Sequence, residues 1–268
     1  VLKRAAVLGK PIAHSLSPVI HNSGYQEKGL EFSYSAIECD SRELAGFVAG
    51  LGPEWVGLSL TMPLKEVALD VADSVTDIAQ AVGAANTLVR RPDGHWRADN
   101  TDVSGMVLAL GSLEKPRSIA ILGAGGTARA ALGAAAQLGV KRVVLFARRP
   151  EVMKELEPVA ENLRLSLMYH GWSETPRAAQ HDVVISTVPK GVADDLTIAW
   201  RPGTVLFDVV YDPWPTPLAA QAERAGARIV SGLDLLLAQA LGQFRLFTGV
   251  EPPVEAMRSA LLKKAAQR

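Results

Sequence analysis

The sequence predicts an α/β protein built from two successive α/β units, and three observations predict it. Short apolar runs alternate with helical patterns along most of the chain. A glycine-rich turn, Gly123-Ala124-Gly125-Gly126-Thr127-Ala128, stands between an apolar strand and an alanine-rich helix. The C-terminal stretch, from Asp234 through Phe247 and again from Pro253, carries helical patterns only. The 268 residues suffice for one large or two modest domains, and 48% hydrophobic with 21% charged residues is a globular composition. A formal net charge of zero argues against nucleic acid and against an anionic membrane surface. No apolar run approaches the roughly 18–20 residues that span a bilayer. The first residues lead straight into a strand, so no signal peptide is expected. The single cysteine, Cys39, precludes an internal disulfide and fits a reducing, cytoplasmic setting.

In the first unit, Ala5 to Gly9 reads as a buried strand closed by glycine. Ser17 before Pro18 is a strong helix start, with serine as N-cap and proline at the first helical position. Ser15 adds a second hydroxyl beside that start, a place for a small carboxylate or phosphate; simple capping explains Ser17 equally. His14 and His21 lack the spacing of metal ligands. Strands are expected at Phe32–Ile37 and Trp55–Leu60, with a helix from Arg42 to Gly50 between them. Thr61 to Lys65 then leads into a helix expected to run through Val71. Pro63 at its first position would put Lys65 in its first turn. A lysine there opposes the helix dipole, which should lower its pKa and suit it to acid–base work; the alternative is a solvated surface lysine.

Ala84 to Arg90 and His95 to Ala98 read as strands joined by a turn at Pro92-Asp93-Gly94. Asn86 is a polar amide in an apolar strand, either a satisfied core group or a ligand contact. Asp99-Asn100-Thr101-Asp102 precedes a helix over Val103–Leu110. Asn100 or Thr101 can cap it, and Asp102 suits its positive end. An acid at this junction between units is also a candidate for substrate chemistry.

The second unit begins with a strand over Arg117–Leu122. The following glycines let a backbone approach a pyrophosphate at a helix N-terminus, giving a Rossmann-type reading; a tight turn without a ligand is the alternative. The next strand, Val143–Ala147, ends in Arg148 and Arg149 where an NAD protein usually carries an acid. Two arginines favour a 2′-phosphate, hence NADP, over two solvated side chains. Strands are expected over Leu165–Tyr169, Asp182–Ser186 and Thr204–Val209, with ligands at their carboxyl ends, where Thr187, Val188, Pro189 and Tyr211 lie. Gln239 interrupts an apolar helical run and is either a buried hydrogen bonder or a ligand contact.

Together these segments resemble the shikimate dehydrogenase family along essentially the whole chain. Gly9 to Pro18 is similar to its substrate-carboxylate motif, and Leu60 to Lys65 to its catalytic-lysine motif. Gly83 to Thr87 and Asp99 to Asp102 are similar to its polyol-binding and catalytic-aspartate motifs. Gly123 to Gly126 and Ala147 to Arg149 resemble its NADP loops, and Gly232 to Ala240 its closing helix. Three positions depart from the pattern: Ser59 stands for an Asn, Ala147-Arg148-Arg149 for Asn-Arg-Thr, and Ser186 for the Asn of a loop beginning Asn-Thr. The resemblance implies reversible oxidation of shikimate by NADP, without a metal, with Lys65 and Asp102 catalytic. It implies that Ser15, Ser17, Thr61, Asn86, Tyr211 and Gln239 bind substrate. It assigns the cofactor to Gly123, Ala124, Gly125, Gly126, Thr127, Ala128, Arg148, Arg149, Thr187, Val188, Pro189, Val209 and Gly232. It further implies a substrate domain over residues 1–103 completed by 236–268, an NADP-binding domain over 104–235, and a monomer or homodimer. An NAD-linked quinate/shikimate dehydrogenase and a non-catalytic ligand sensor on the same fold are the alternatives, and a folate-type methylene dehydrogenase is disfavoured by the paired serines.

Overall fold

The computed structural model describes residues 2–111 and 116–267. The chain divides into two compact units, Val1–Gly105 with Leu236–Arg268, and Met106–Leu235.

The first unit holds a six-stranded sheet. Its strands are β1 (Lys3–Gly9), β2 (Phe32–Glu38), β3 (Trp55–Leu60), β4 (Ser74–Val75), β5 (Thr87–Arg90) and β6 (Trp96–Asp99), in the order β2-β1-β3-β5-β6-β4. β1 pairs parallel with β2 and β3, whereas β5 pairs antiparallel with β3 and β6. The change of direction follows from the short turn between β5 and β6, which can only return the chain antiparallel. Gly94 supplies the positive φ, 88°, that this turn requires. Consecutive residues Ala5 to Leu8 are all buried, so both faces of β1 are covered. One face packs on α2 (Leu44–Ala49) and α3 (Ala68–Val71), with Leu8, Leu58, Leu60, Leu88 and Trp96 in its core. α1 (Ser17–Glu27) packs on α10 (Val254–Ala265), and Gly24 leaves room there for Phe244 and Met257.

Three local expectations for this unit are corrected. The N-cap of α1 is Leu16, not Ser17, because Ser15 Oγ accepts the Ser17 amide (3.3 Å) and the chain is already helical at Leu16. The helix expected from Pro63 is reduced to the four residues of α3. Residues 61–64 form a turn closed by Leu64 N–H on the Thr61 carbonyl (2.8 Å). The Lys65 carbonyl is taken by the Ala85 amide (2.7 Å), so it is not available to a helix through this point. Lys65 therefore lies in a turn before α3, and the dipole argument for its pKa does not apply. α4 (Asp77–Val82) was not expected, although Thr76 caps it at Ala79 N–H and Gly83 ends it with φ 66°. A Thr-Asp start and a glycine stop were its signals.

The second unit is a parallel sheet of β7 (Ile119–Leu122), β8 (Arg142–Ala147), β9 (Ser166–Gly171), β10 (Val183–Ser186), β11 (Val205–Asp208) and β12 (Arg228–Ser231). The order β12-β11-β10-β7-β8-β9 is that of a doubly wound Rossmann sheet, with its switch point between β7 and β10. α6 (Gly126–Gln137) packs on it through Ala128, Ala130, Ala131, Ala134 and Ala135, all fully buried. β12 and the helices α7 (Met153–Asn162) and α8 (Pro217–Arg224) complete the alternation. α9 (Gly232–Thr248) starts in this unit and continues into the first. Its first residue is pressed against the Val209 and Val210 backbone, and a Cβ at Gly232 would collide with the Val209 carbonyl. Gly232→Ala is therefore expected to lower stability by about 1–3 kcal/mol in denaturant unfolding. Gly46→Ala, inside α2 and with nothing within 4 Å of its Cβ, serves as the control that should lose no stability.

Candidate active site

Lys65 Nζ lies 2.6 Å from Asp102 Oδ2, and the two side chains are only 14% and 7% exposed. Two separate constructions place them. Asp102 is in the first turn of α5 (Thr101–Leu110). Asn100 caps that helix, its Oδ1 accepting Asp102 N–H (3.1 Å) and Val103 N–H (3.3 Å) while its Nδ2 donates to the Ala84 carbonyl (2.8 Å). Lys65 is fixed by its own carbonyl on Ala85. Both anchors fall on the short segment Ala84–Asn86, which thereby sets the spacing of the pair.

Asn86 is 2% exposed and carries the largest share of this wiring. Its Oδ1 accepts Thr101 N–H (2.8 Å), Thr101 Oγ1 (3.2 Å) and Thr87 Oγ1 (2.8 Å), and its Nδ2 donates to Thr101 Oγ1 (3.0 Å). Its carbonyl accepts Leu60 N–H (2.7 Å), tying β3 to the start of β5. The side chain therefore ties the start of β5 to the start of α5.

The serine segment reaches the same place. Lys10 N–H bonds the Met62 carbonyl (2.9 Å), and Thr61 packs on Gly9 so closely that a Cβ at Gly9 would clash with it. Ser15 is half-buried and Ser17 buried. Burial makes the Tyr34 phenol a weaker acid than usual, an effect opposed by the Ser59 and Ser17 hydroxyls beside it. Tyr34 donates to Ser59 Oγ (2.6 Å), and Ser59 to Gln243 Oε1 (2.7 Å). Gln239 is 8% exposed and donates to the Leu236 carbonyl one turn back (2.8 Å). Ser15, Ser17, Thr61, Lys65, Asn86, Asp102 and Gln239 all belong to the first unit, while Tyr211, half-buried after β11, belongs to the second. Tyr34 and Gln243 were missed in the sequence. The signal for Gln243 was a second amide four residues after Gln239, on the same face of an apolar helix.

In the second unit the carboxyl ends of β7 and β10 meet at the switch point. Gly123 has φ 99°, and a Cβ there would come within 2.8 Å of Thr187 Oγ1 and 2.9 Å of Val188. Thr187 bonds the Leu122 carbonyl through both its N–H (2.9 Å) and its hydroxyl (2.8 Å). Gly125 is the N-cap of α6, makes no side-chain cap bond, and faces open space. Packing explains Gly123 and Gly232, but it does not explain Gly125. An uncapped helix start with a bare backbone before it fits a pyrophosphate. Arg148 and Arg149 are both exposed just past β8, where they fit a further phosphate. Among the described residues no His/Cys/Asp/Glu group could hold a metal ion, and no helix is long and apolar enough to cross a membrane.

A Rossmann-type sheet with a bare glycine turn in one unit, and a buried Lys–Asp pair in the other, define a two-unit α/β protein of dehydrogenase type. Comparison with known proteins specifies the class. Residues 7–88 match the shikimate dehydrogenase substrate binding domain, and residues 232–262 the shikimate 5'-dehydrogenase C-terminal domain. Residues 98–213 match the alanine dehydrogenase/PNT C-terminal domain. The chain is 36% identical to the shikimate dehydrogenase (NADP(+)) of Methanothermobacter thermautotrophicus, over 95% of this chain and 94% of that one. Among solved structures it is similar to the shikimate 5-dehydrogenase of Mycobacterium fortuitum (45% identity, TM-score 0.86, covering 96% and 97% of the two chains). It is also similar to the shikimate dehydrogenase of Mycobacterium tuberculosis (43% identity, TM-score 0.88, 97% and 99%). The chain belongs to the shikimate dehydrogenase family.

Behind the site, His21 is fully buried and stacked on Tyr34 at 4.2 Å, and neither ring nitrogen makes a hydrogen bond of ordinary geometry. Burial pushes its pKa from 6.5 down to about 3, partly offset by the Gln243 side chain. Between these values the unfolded chain binds a proton that the folded chain does not. The neutral ring's contribution is therefore complete above pH 6.5 and is lost as pH falls toward about 3. His21→Phe is expected to gain on the wild type as pH falls from about 7 to about 4 in denaturant unfolding. An unchanged gap between the two proteins would show that His21 does not titrate in that window.

Proposed function

We propose that this chain is an NADP-dependent shikimate dehydrogenase that reversibly reduces 3-dehydroshikimate to shikimate, a cytoplasmic step of aromatic amino-acid biosynthesis. The observation that carries the reading is the buried Lys65–Asp102 pair, 2.6 Å apart and joined to the serine and Asn86 segments by backbone bonds. Burying an ion pair rarely adds much net stability, and a well-packed apolar pair would serve a fold as well. A lysine held by a carboxylate is, by contrast, what alcohol oxidation needs. Loss of hydride from a secondary alcohol must be matched by loss of the hydroxyl proton. Lys65 Nζ takes that proton or steadies the alkoxide as it forms. Asp102 orients Lys65 and accepts a hydrogen bond from the neighbouring hydroxyl. Ser15 and Ser17 take the ring carboxylate, and Thr61, Asn86 and Gln239 complete the substrate shell in the first unit.

NADP, when bound, accepts or supplies the hydride. Gly123, Ala124, Gly125, Gly126, Thr127 and Ala128 would receive its pyrophosphate, and Arg148 and Arg149 its 2′-phosphate. Thr187, Val188, Pro189, Val209 and Gly232 would line the nicotinamide half. In this reading residues 1–103 with 236–268 form the substrate domain, residues 104–235 form the cofactor domain, and the enzyme is a monomer or homodimer.

Initial rates with shikimate and quinate, each with NADP and NAD, test the reading. Shikimate with NADP is expected to win, and a clear preference for quinate with NAD would overturn both substrate and cofactor. Lys65→Ala is expected to lower kcat by about 10²–10⁴-fold with shikimate still bound in calorimetry. Full turnover in that variant would remove Lys65 from the mechanism. The double variant Arg148→Ala/Arg149→Ala is expected to raise the KM for NADP by about tenfold or more and leave that for NAD nearly unchanged. Equal effects on both cofactors would detach the arginines from the 2′-phosphate.

A further inference from the structure

Behind the Lys65–Asp102 pair runs one connected chain of uncharged side chains, none more than 5% exposed. Tyr34 donates to Ser59 and Ser59 to Gln243 Oε1. Gln243 Nε2 donates twice, to Thr87 Oγ1 (3.0 Å) and to the Asn86 carbonyl (3.2 Å). Thr87 donates on to Asn86 Oδ1, and Asn86 reaches Thr101, the residue before Asp102. Every polar atom of the Gln243 side chain is therefore paired, on three different segments. The bonds fall where β3 ends and β5 begins, two residues from Thr61 and on Asn86 itself.

α9 is already packed tightly without these bonds. Gly57 has no room for a Cβ beside Phe247, and a Cβ on Gly242 would lie 3.3 Å from Thr101 Cγ2. Apolar packing of this kind holds a helix down but is not directional. The two amides of α9 lie four residues apart on one face, so whatever fixes Gln243 also fixes the direction of Gln239.

We infer that Gln243 is a positioning residue for the reaction. It locks the register of α9 against β3 and β5, and through Asn86 and Thr101 it sets the approach of Asp102 to Lys65. Ser59 is its relay, which gives a purpose to the serine that stands where the family pattern has Asn. The inference rests on the dehydrogenase reading for its kinetic consequence but not for its geometry.

The test separates positioning from mere stability. A buried amide left unpaired destabilises, whereas replacing both partners by apolar groups is nearly neutral. Gln243→Leu combined with Ser59→Ala and Tyr34→Phe removes the whole Tyr34–Ser59–Gln243 relay, so its thermal midpoint should return toward wild type relative to Gln243→Leu alone. Its kcat for shikimate should remain about tenfold low, with the KM for NADP unmoved. Lys65 acylation by acetic anhydride, read by mass spectrometry against the exposed Lys10, should be about threefold faster once the pair with Asp102 is loosened. Unchanged Lys65 labelling, or turnover that recovers together with stability, would overturn the inference. If the wild type does not oxidise shikimate at all, the functional reading fails and the labelling alone decides the positioning. If the triple variant does not fold, Gln243→Glu, which keeps an acceptor for Ser59 but loses both donated bonds, gives the same two readouts.

Discussion

Asn86 bonds the first turn of α5 with its side chain and the end of β3 with its carbonyl, while the residue before it holds Lys65 by the backbone. Two stretches far apart in sequence, Leu60–Lys65 and the start of α5, therefore converge on two consecutive residues. Lys65 lies in a turn and Asp102 on a helix, so neither has a regular element in common that would fix their distance. Without the Ala85–Asn86 junction, the 2.6 Å contact would depend on two side chains alone. Such a contact is weak where it is exposed, because ordering the side chains offsets the attraction. Here it is buried, and removing one partner would leave an uncompensated charge at a penalty of about 3–5 kcal/mol. The surrounding uncharged hydrogen bonds avoid a second charge nearby and still leave no amide of Asn86 or Gln243 idle.

The two units solve different problems. In the second, a parallel sheet with alanine-faced α6 brings a helix start close to strand ends, and glycines leave the backbone bare where a phosphate would lie. Gly123 and Gly232 are explained by neighbouring atoms of the protein itself. Gly125 is not, since a Cβ there would meet nothing within 4 Å. In the first unit the antiparallel β5–β6 hairpin interrupts an otherwise parallel arrangement. It delivers Asp99 and Asn100 to the mouth of the sheet, from which α5 departs.

Much of the molecule was legible before its structure. The parallel sheet of the second unit followed from apolar runs separated by helices, because such strands are buried on both faces. The glycine turn and the paired arginines were legible because their chemistry is local. Lys65 was singled out for an incorrect reason: it does not sit in the first turn of a helix, and the carbonyl that would have continued that helix is held by Ala85. Ser17 was assigned the cap position that Leu16 occupies, and its amide is bonded by Ser15 Oγ. In both cases a tertiary or neighbouring bond overrode a sound local preference.

The sequence by itself determined the α/β class, the two-unit plan and the glycine turn between strand and helix, since each is encoded in residues a few positions apart or in a repeated pattern. Only the tertiary structure decided that Asn86 is a structural junction, that Gln243 and Tyr34 belong to the network behind the site, and that Lys65 and Asp102 actually touch. Those facts depend on hydrogen bonds between residues separated by as much as 184 positions, which no periodicity or spacing records.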